Sequence, residues 1–309
     1  MVQAVRGTGV ALITPFNSDG LVDFSALKRQ IDRVLSGNVD FLVPLGTTAE
    51  TPTLEAKEKE AILDCVFSTI KDGFPVWVGC GGNHTKAVAH QMKEWGTRYP
   101  LTGFLSVSPY YNRPTQEGLY QHFRYLAEHS PKPILLYNVP ARTGRSLMPD
   151  TVVRLAHDCS AIMGIKEASA DLSPGLDIIH HAPKEFVVLS GDDKLALPAC
   201  QVNYQGCISV LANLFPYSFS SMLYNVLFES DWSGAIHNHD ILFPFYDLIF
   251  EEGNPAGIKT ALSLIGVCRA DVRLPLVPAS TGLTRKLKAA LEALSLSTLE
   301  MNQAALVSN

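Results

Sequence analysis

From Gly9 to about Val226, short apolar runs alternate with longer amphipathic stretches, and the pair recurs eight times. The spacing is roughly 25 to 30 residues, the length of one strand, one helix and their connections. Residues 9–14, 40–45, 75–79, 103–107, 133–137, 162–166, 186–190 and 206–210 read as strands, and several are apolar on both faces, as in a parallel sheet covered on both sides. The stretches between them carry helix patterns. Asp23 caps a helix with Phe24, Leu27, Ile31 and Val34 on one face and Gly37 at its end; Thr53 caps the next, with Glu55 in its first turn; Thr115 opens another, with Leu119, Phe123 and Leu126 inward. Eight such units predict a closed (β/α)8 TIM barrel. An open doubly wound sheet usually has fewer strands and needs a glycine-rich phosphate turn after the first, where this chain has Thr14-Pro15-Phe16-Asn17.

Beyond Glu229 the strand pattern stops, so residues 1–229 read as a barrel catalytic domain and 230–309 as a small C-terminal helical domain. Its expected helices cover 235–250, 255–266 and 283–294, the second capped by Asn254 with Pro255 in the first turn, and the last ten or so residues read as a tail.

Composition narrows the function. A chain with 47% hydrophobic and 18% charged residues can bury a large core and is not of the disordered class. The net charge of -5, without a cluster of Lys and Arg, excludes a nucleic-acid footprint. The N-terminus lacks the apolar stretch of a signal peptide or membrane span, so a cytoplasmic protein is expected. Cys65, Cys80, Cys159, Cys200, Cys207 and Cys268 form no Cys-x-x-Cys pair and read as buried, reduced thiols. His180-His181 and His237-Asn238-His239 lack the i, i+4 spacing of a helical zinc site, and no metal is expected.

In such a barrel the functional groups sit where strands end. The second strand delivers Gly46-Thr47-Thr48-Ala49-Glu50, the fourth Ser108-Pro109-Tyr110-Tyr111-Asn112, the fifth Tyr137-Asn138-Val139-Pro140-Ala141-Arg142-Thr143-Gly144, the sixth Lys166, and the seventh Gly191-Asp192-Asp193. Hydroxyls, phenols, one arginine and one amine suit carbonyl chemistry by a lysine. An ammonium has no lone pair, so that lysine must lose its proton, which an apolar barrel mouth favours by desolvation. The neutral amine can form a Schiff base, an electron sink that lets the neighbouring carbon lose a proton. Tyr137, Thr48 and Tyr111 could relay protons without placing a fixed charge beside it.

Each residue also has a plainer reading. Lys166 at a strand end can snorkel to water, with Gly164 below it expected to leave open space; Thr47 can be a turn residue, Tyr110-Tyr111 packing, and Arg142 a surface ion pair. Arg142 lies in a stiff loop between Pro140 and Gly144, a setting that favours bidentate capture of a carboxylate. Glu50 and Glu167 read as structural, because a carboxylate close to the lysine would raise its pKa.

Together with Gly206-Cys207-Ile208-Ser209-Val210, these motifs resemble the pyruvate-dependent class I aldolase family that includes dihydrodipicolinate synthase and N-acetylneuraminate lyase, over about residues 7–294. The resemblance implies that Lys166 forms the Schiff base with pyruvate, and that Thr48, Tyr137 and Tyr111 relay protons, the tyrosine reaching in from a neighbouring subunit. It further implies that Thr47 and Thr48 hold the pyruvate carboxylate, that Arg142 receives the carboxylate of aspartate semialdehyde, and that Gly191 and the Ile208 carbonyl lie at the substrate site. Lyases for sialic acid usually lack the arginine, so Arg142 favours a condensation leading to lysine and diaminopimelate over the alternative, a sugar-derived 2-keto acid such as N-acetylneuraminate. A homotetramer built as a dimer of dimers, with no metal or organic cofactor, is implied as well.

Two positions depart from the family pattern. Ala49 stands where glycine is usual, which would strain a loop needing positive φ there. Ala87 and Lys59 stand where lysine-sensitive members carry glutamate and histidine, so feedback by free lysine is expected to be weak or absent.

Overall fold

The computed structural model describes residues 5–307, with side chains through Ser295. Eight strands form one sheet: β1 (Gly7–Ala11), β2 (Phe41–Val43), β3 (Trp77–Gly79), β4 (Gly103–Val107), β5 (Ile134–Asn138), β6 (Ile162–Glu167), β7 (Val187–Ser190) and β8 (Gly206–Ser209). All pairings are parallel, in the order β2-β1-β8-β7-β6-β5-β4-β3. The ends of that row meet. Leu42 pairs with Val76 in parallel, and the seam carries bonds from Leu42 N to Pro75 O at 3.1 Å and from Gly79 N to Pro44 O at 2.9 Å. Closure of this kind is how a sheet removes its edges.

The helices between strands follow from their caps. Phe24–Ser36 starts where the Asp23 carboxylate accepts from Ala26 N at 2.9 Å, and Gln116–His129 where Thr115 accepts from Gly118 N at 3.2 Å. Thr53 does not cap the second helix, Ala56–Thr69. The cap is Glu55, in a reciprocal capping box with Glu58, because Thr53 is spent on an earlier turn, its N–H and hydroxyl both donating to Glu50 O. Thr85–Arg98, Pro149–Asp158, Ser173–His181, Ala196–Gln201 and Pro216–Tyr224 complete the ring.

The C-terminal helices are Trp232–Leu248, Ala256–Leu264 and Thr281–Val307. Asn254 does not cap the second of these, since Pro255 occupies the cap position and the Asn254 amide turns into the barrel mouth. The stretch expected as a tail falls on the end of Thr281–Val307 and on residues 308–309, the last two lying outside the described residues.

The open space expected at Gly164 is not there. A Cβ at this position would lie 2.4 Å from Val187 O and 3.0 Å from Leu135 Cδ2, so the glycine is needed for close approach of β6 to its neighbours. A bulge in the same strand shifts the β5–β6 register between Ile134 and Leu135. Gly164→Ala should therefore destabilise the fold by about 2 kcal/mol or more, read as a lower denaturant midpoint at unchanged slope; an unmoved midpoint would contradict this packing.

Candidate active site

Parallel register decides which side chains meet at the end of β6. Tyr137 of β5 and Lys166 of β6 are direct register partners, and so are Asn138 and Glu167 one step further on. Alternation sends the first pair to one face and the second to the other. On the inner face Lys166 is only 5% exposed and its Nζ lies 4.6 Å from the Tyr137 ring centroid. On the other face Asn138 Nδ2 donates to both oxygens of Glu167, at 3.1 and 2.9 Å, and Ser169 N donates to Oε1 at 2.9 Å. Burial pushes the Glu167 carboxyl up, opposed by these donors. The strand backbone thus separates the carboxylate from the amine beside it.

Room for the lysine comes from Gly191 rather than Gly164. A Cβ on Gly191 would lie 2.8 Å from Lys166 Cε and 2.5 Å from Ala168 Cβ. Lys166, Tyr137, Gly191, Thr47, Thr48 and Arg142 all line one cavity of about 380 Å³ at the C-terminal ends of the strands. The Thr47-Thr48 segment is a 3₁₀ turn, and Ala49 within it carries no positive φ; the left-handed residues of the loop are Leu45 at 58° and Glu50 at 56°. Arg142 sits in the short helix Pro140–Thr143, its N–H donating to Val139 O at 2.9 Å and the turn closed by Gly144 at φ 70°. Its guanidinium is exposed at the cavity wall.

Two expected residues are not brought into this cavity. Tyr111 is 91% exposed, on a loop with φ 71° at Tyr111 and 45° at Arg113, and does not line the cavity of its own chain. Ile208 is fully buried in β8, and the wall on that side is formed by Val210.

The structure adds residues that sequence reading missed. Tyr246, Asp247, Phe250, Glu251 and Asn254, all from the C-terminal segment, line the same cavity, and Lys194 ties the loop after β7 to Asp247 at 2.8 Å. Asn254 Nδ2 donates to Thr48 Oγ1 at 3.0 Å. A helix pattern alone gives no sign of this, although a lone asparagine before a proline in an apolar region is a polar group in need of a partner. Asp193, beneath the mouth, accepts from Val210 N at 3.1 Å and Leu211 N at 3.0 Å through Oδ2. Burial outweighs these donors and pushes its carboxyl up to about 6. Among the described residues no group of three or more His, Cys, Asp or Glu side chains is arranged to hold a metal ion, and no helix is long and apolar enough to cross a membrane.

The profile of the Dihydrodipicolinate synthetase family matches residues 4–294. The chain belongs to this family. A 4-hydroxy-tetrahydrodipicolinate synthase of Azobacteroides pseudotrichonymphae is 44% identical over 93% of the chain and 96% of its own length. Among solved structures, the 4-hydroxy-tetrahydrodipicolinate synthase of Methylacidiphilum fumariolicum SolV superposes with a TM-score of 0.92 at 36% identity, covering 97% of this chain and 99% of that one. A structure described as the first monomeric dihydrodipicolinate synthase variant matches with a TM-score of 0.91 at 35% identity, covering 95% of this chain and 98% of that one. The family match and the structural matches agree with the closed barrel described above.

Asp193 yields a pH test. The folded chain keeps this proton up to about pH 6 and the unfolded chain loses it near 3.8, so the folded state binds more protons across that window. Stability from this group therefore falls as pH rises through it. Asp193→Asn removes the penalty, and its stability relative to the parent should grow by about 2 to 3 kcal/mol between pH 3.5 and pH 7. Urea unfolding at both pH values measures this, and a pH-independent difference would contradict it.

Proposed function

We propose that the chain catalyses the Schiff-base condensation of pyruvate with L-aspartate 4-semialdehyde to give 4-hydroxy-tetrahydrodipicolinate, as a lyase of lysine and diaminopimelate biosynthesis. The observation that carries this reading is a buried lysine amine against a tyrosine ring, in a cavity that has threonine hydroxyls on one wall and an arginine on another.

The chemistry follows from those groups. Once deprotonated, the Lys166 amine adds to C2 of pyruvate, and with uptake of one proton the carbinolamine oxygen leaves as water, giving a protonated imine. Loss of a proton from C3 forms the enamine, whose carbon attacks the aldehyde carbon of the semialdehyde while the new alkoxide takes up a proton. The amino group of the semialdehyde portion then adds at C2 and displaces Lys166, which closes the ring and restores the free amine. Thr47 and Thr48, at the end of β2, hold the pyruvate carboxylate, with Gly191 beside the substrate. Arg142, across the cavity, receives the carboxylate of the second substrate through charge-assisted bonds. Tyr137 and Thr48 move the protons.

Tyr111 completes the relay from a second copy. An exposed phenol outside the lining of its own cavity supports this arrangement between two copies, which a homotetramer built as a dimer of dimers would provide. Pyruvate is carried covalently as substrate, so the reaction needs no metal or organic cofactor. Six free cysteines and the absence of a membrane-spanning helix among the described residues accord with a cytoplasmic enzyme.

Borohydride reduction in the presence of pyruvate should attach a three-carbon adduct to Lys166, and Lys166→Met should abolish it. Turnover is expected with aspartate semialdehyde and not with N-acetylneuraminate; the reverse preference would favour the lyase reading. Arg142→Met should raise KM for the semialdehyde about tenfold or more while leaving adduct formation intact, and equal loss of both would contradict the assignment.

Regulation is the other testable point. Asn83 Nδ2 donates to Tyr110 O at 3.0 Å, while Ala87 and Lys59 stand where lysine-sensitive members of the family carry glutamate and histidine. A free lysine ligand would find no anion there for its ammonium, so millimolar L-lysine should leave the steady-state rate unchanged. Inhibition at that concentration would overturn the expectation.

A further inference from the structure

Lys259 lies in helix Ala256–Leu264 and its side chain is fully buried. Its Nζ is 2.6 Å from Glu50 Oε1, whose side chain is equally buried, and it donates to Asp271 O at 2.9 Å. The remaining face of the ammonium rests 4.0 Å from the Phe16 ring centroid. All of its donors are thus spoken for. The second oxygen of Glu50 accepts from Arg273 N at 2.8 Å, and the Arg273 guanidinium bonds Thr53 O at 2.8 Å and the Glu58 carboxylate. Two cations from the C-terminal segment, separated from Glu50 by more than two hundred residues, therefore converge on the loop that follows β2.

Glu50 is the joint of that loop. It sits in the left-handed region, φ 56° and ψ 34°, between the 3₁₀ turns Thr47–Ala49 and Thr51–Thr53. A side chain other than glycine or asparagine in that region costs about 1 kcal/mol and persists only where surrounding contacts hold it. Thr48 is two residues away, and its Oγ1 accepts from Asn254 Nδ2 at 3.0 Å. With an oxygen lone pair engaged by that donor, the hydroxyl proton of Thr48 is directed away from Asn254. Both links, Asn254 to Thr48 and Lys259 to Glu50, come from one short stretch of chain.

A buried ion pair is an expensive way to join two segments, and apolar residues of similar size commonly do as well or better for stability. Ile258, Ala261 and Leu262 of the same helix are fully buried apolar residues, so the site has an apolar alternative at hand. What the pair adds is direction.

We infer that the buried Lys259–Glu50 pair is a positioning device for the reaction: it locks the turn after β2 so that the Thr48 hydroxyl is held on Asn254 and aimed into the cavity. Lys259 and Glu50 touch no reacting atom and act through Thr48. This inference rests on the proposed Schiff-base chemistry, in which Thr48 moves a proton.

The test is a double-mutant cycle on the full-length protein. Glu50→Gln combined with Lys259→Met keeps the packing and leaves no unpaired buried charge, whereas either change alone risks the fold. A folded double variant should still be trapped by pyruvate and borohydride on Lys166, with KM for pyruvate within about threefold of the parent, while kcat for condensation falls by about tenfold or more. The loss should not add to that of Thr48→Val, because both disable the same hydroxyl. A kcat within about threefold of the parent, or losses that add in full, would overturn the inference. Should the double variant fail to fold, Asn254→Ala enters the same cycle with Thr48→Val, and full additivity there overturns it as well. If the unsubstituted protein gives no pyruvate adduct, the proposed function falls and this inference with it; an adduct in the parent with an unimpaired clamp variant removes the inference alone.

Discussion

The pairing of β5 with β6 places Tyr137 beside Lys166 and, one residue later, Asn138 beside Glu167. Because side chains alternate across a strand, one register choice both brings the phenol to the amine and sends the carboxylate to the far face. A slip of one residue would exchange the pairs and put Glu167 in the cavity. The rest of the site is arranged around this register: Gly191 from β7 makes room for the lysine stem, and the loops after β2 and β5 supply hydroxyls and an arginine around it. A closed barrel is suited to hold such a register, since every strand is bonded on both sides and none is free to shift alone.

The barrel does not finish the cavity by itself. Tyr246, Phe250 and Asn254 form part of its wall, and Lys259 and Arg273 bind the loop that carries the threonines. Among the described residues no strand follows β8, and the helical segment beyond Glu229 shares in lining the cavity. Strand ends fix what chemistry is possible, while the C-terminal segment bears on how exactly placed the hydroxyls are, because loops are less rigid than the strands that bear them.

The parts legible in the sequence are those written in local patterns. Short apolar runs located every strand to within a few residues, and residues at or just after their ends, Thr47, Thr48, Tyr137, Arg142, Lys166 and Gly191, do line one cavity. What was not legible depends on contacts across more than two hundred residues, such as Asn254 with Thr48 and Lys259 with Glu50. Asn254 before Pro255 satisfies the ordinary pattern of a helix start, so local reading assigned its side chain to a cap. Gly164 failed for a related reason: a missing side chain reads as space, yet between close-packed strands it marks where backbone has moved in. Lys259 did leave a trace, a single cation inside Ala256-Gly257-Ile258-Lys259-Thr260-Ala261-Leu262. A charge in so apolar a run is rarely buried without a partner, and that partner could have been sought among the unassigned acids.

Tyr111 follows the same backbone logic. Its left-handed φ and that of Arg113 are unfavourable for such side chains, so something must hold the loop. Three bonds do: Asn112 N to Tyr110 O at 2.9 Å, Asn83 Nδ2 to Tyr110 O at 3.0 Å, and Arg113 Nε to Gly144 O at 2.9 Å, the last joining it to the loop that carries Arg142. A loop braced in this way has given up backbone freedom before meeting any partner. Such pre-organisation lowers the entropic cost of docking, which is how a braced, exposed tyrosine would serve the proposed delivery into a second copy.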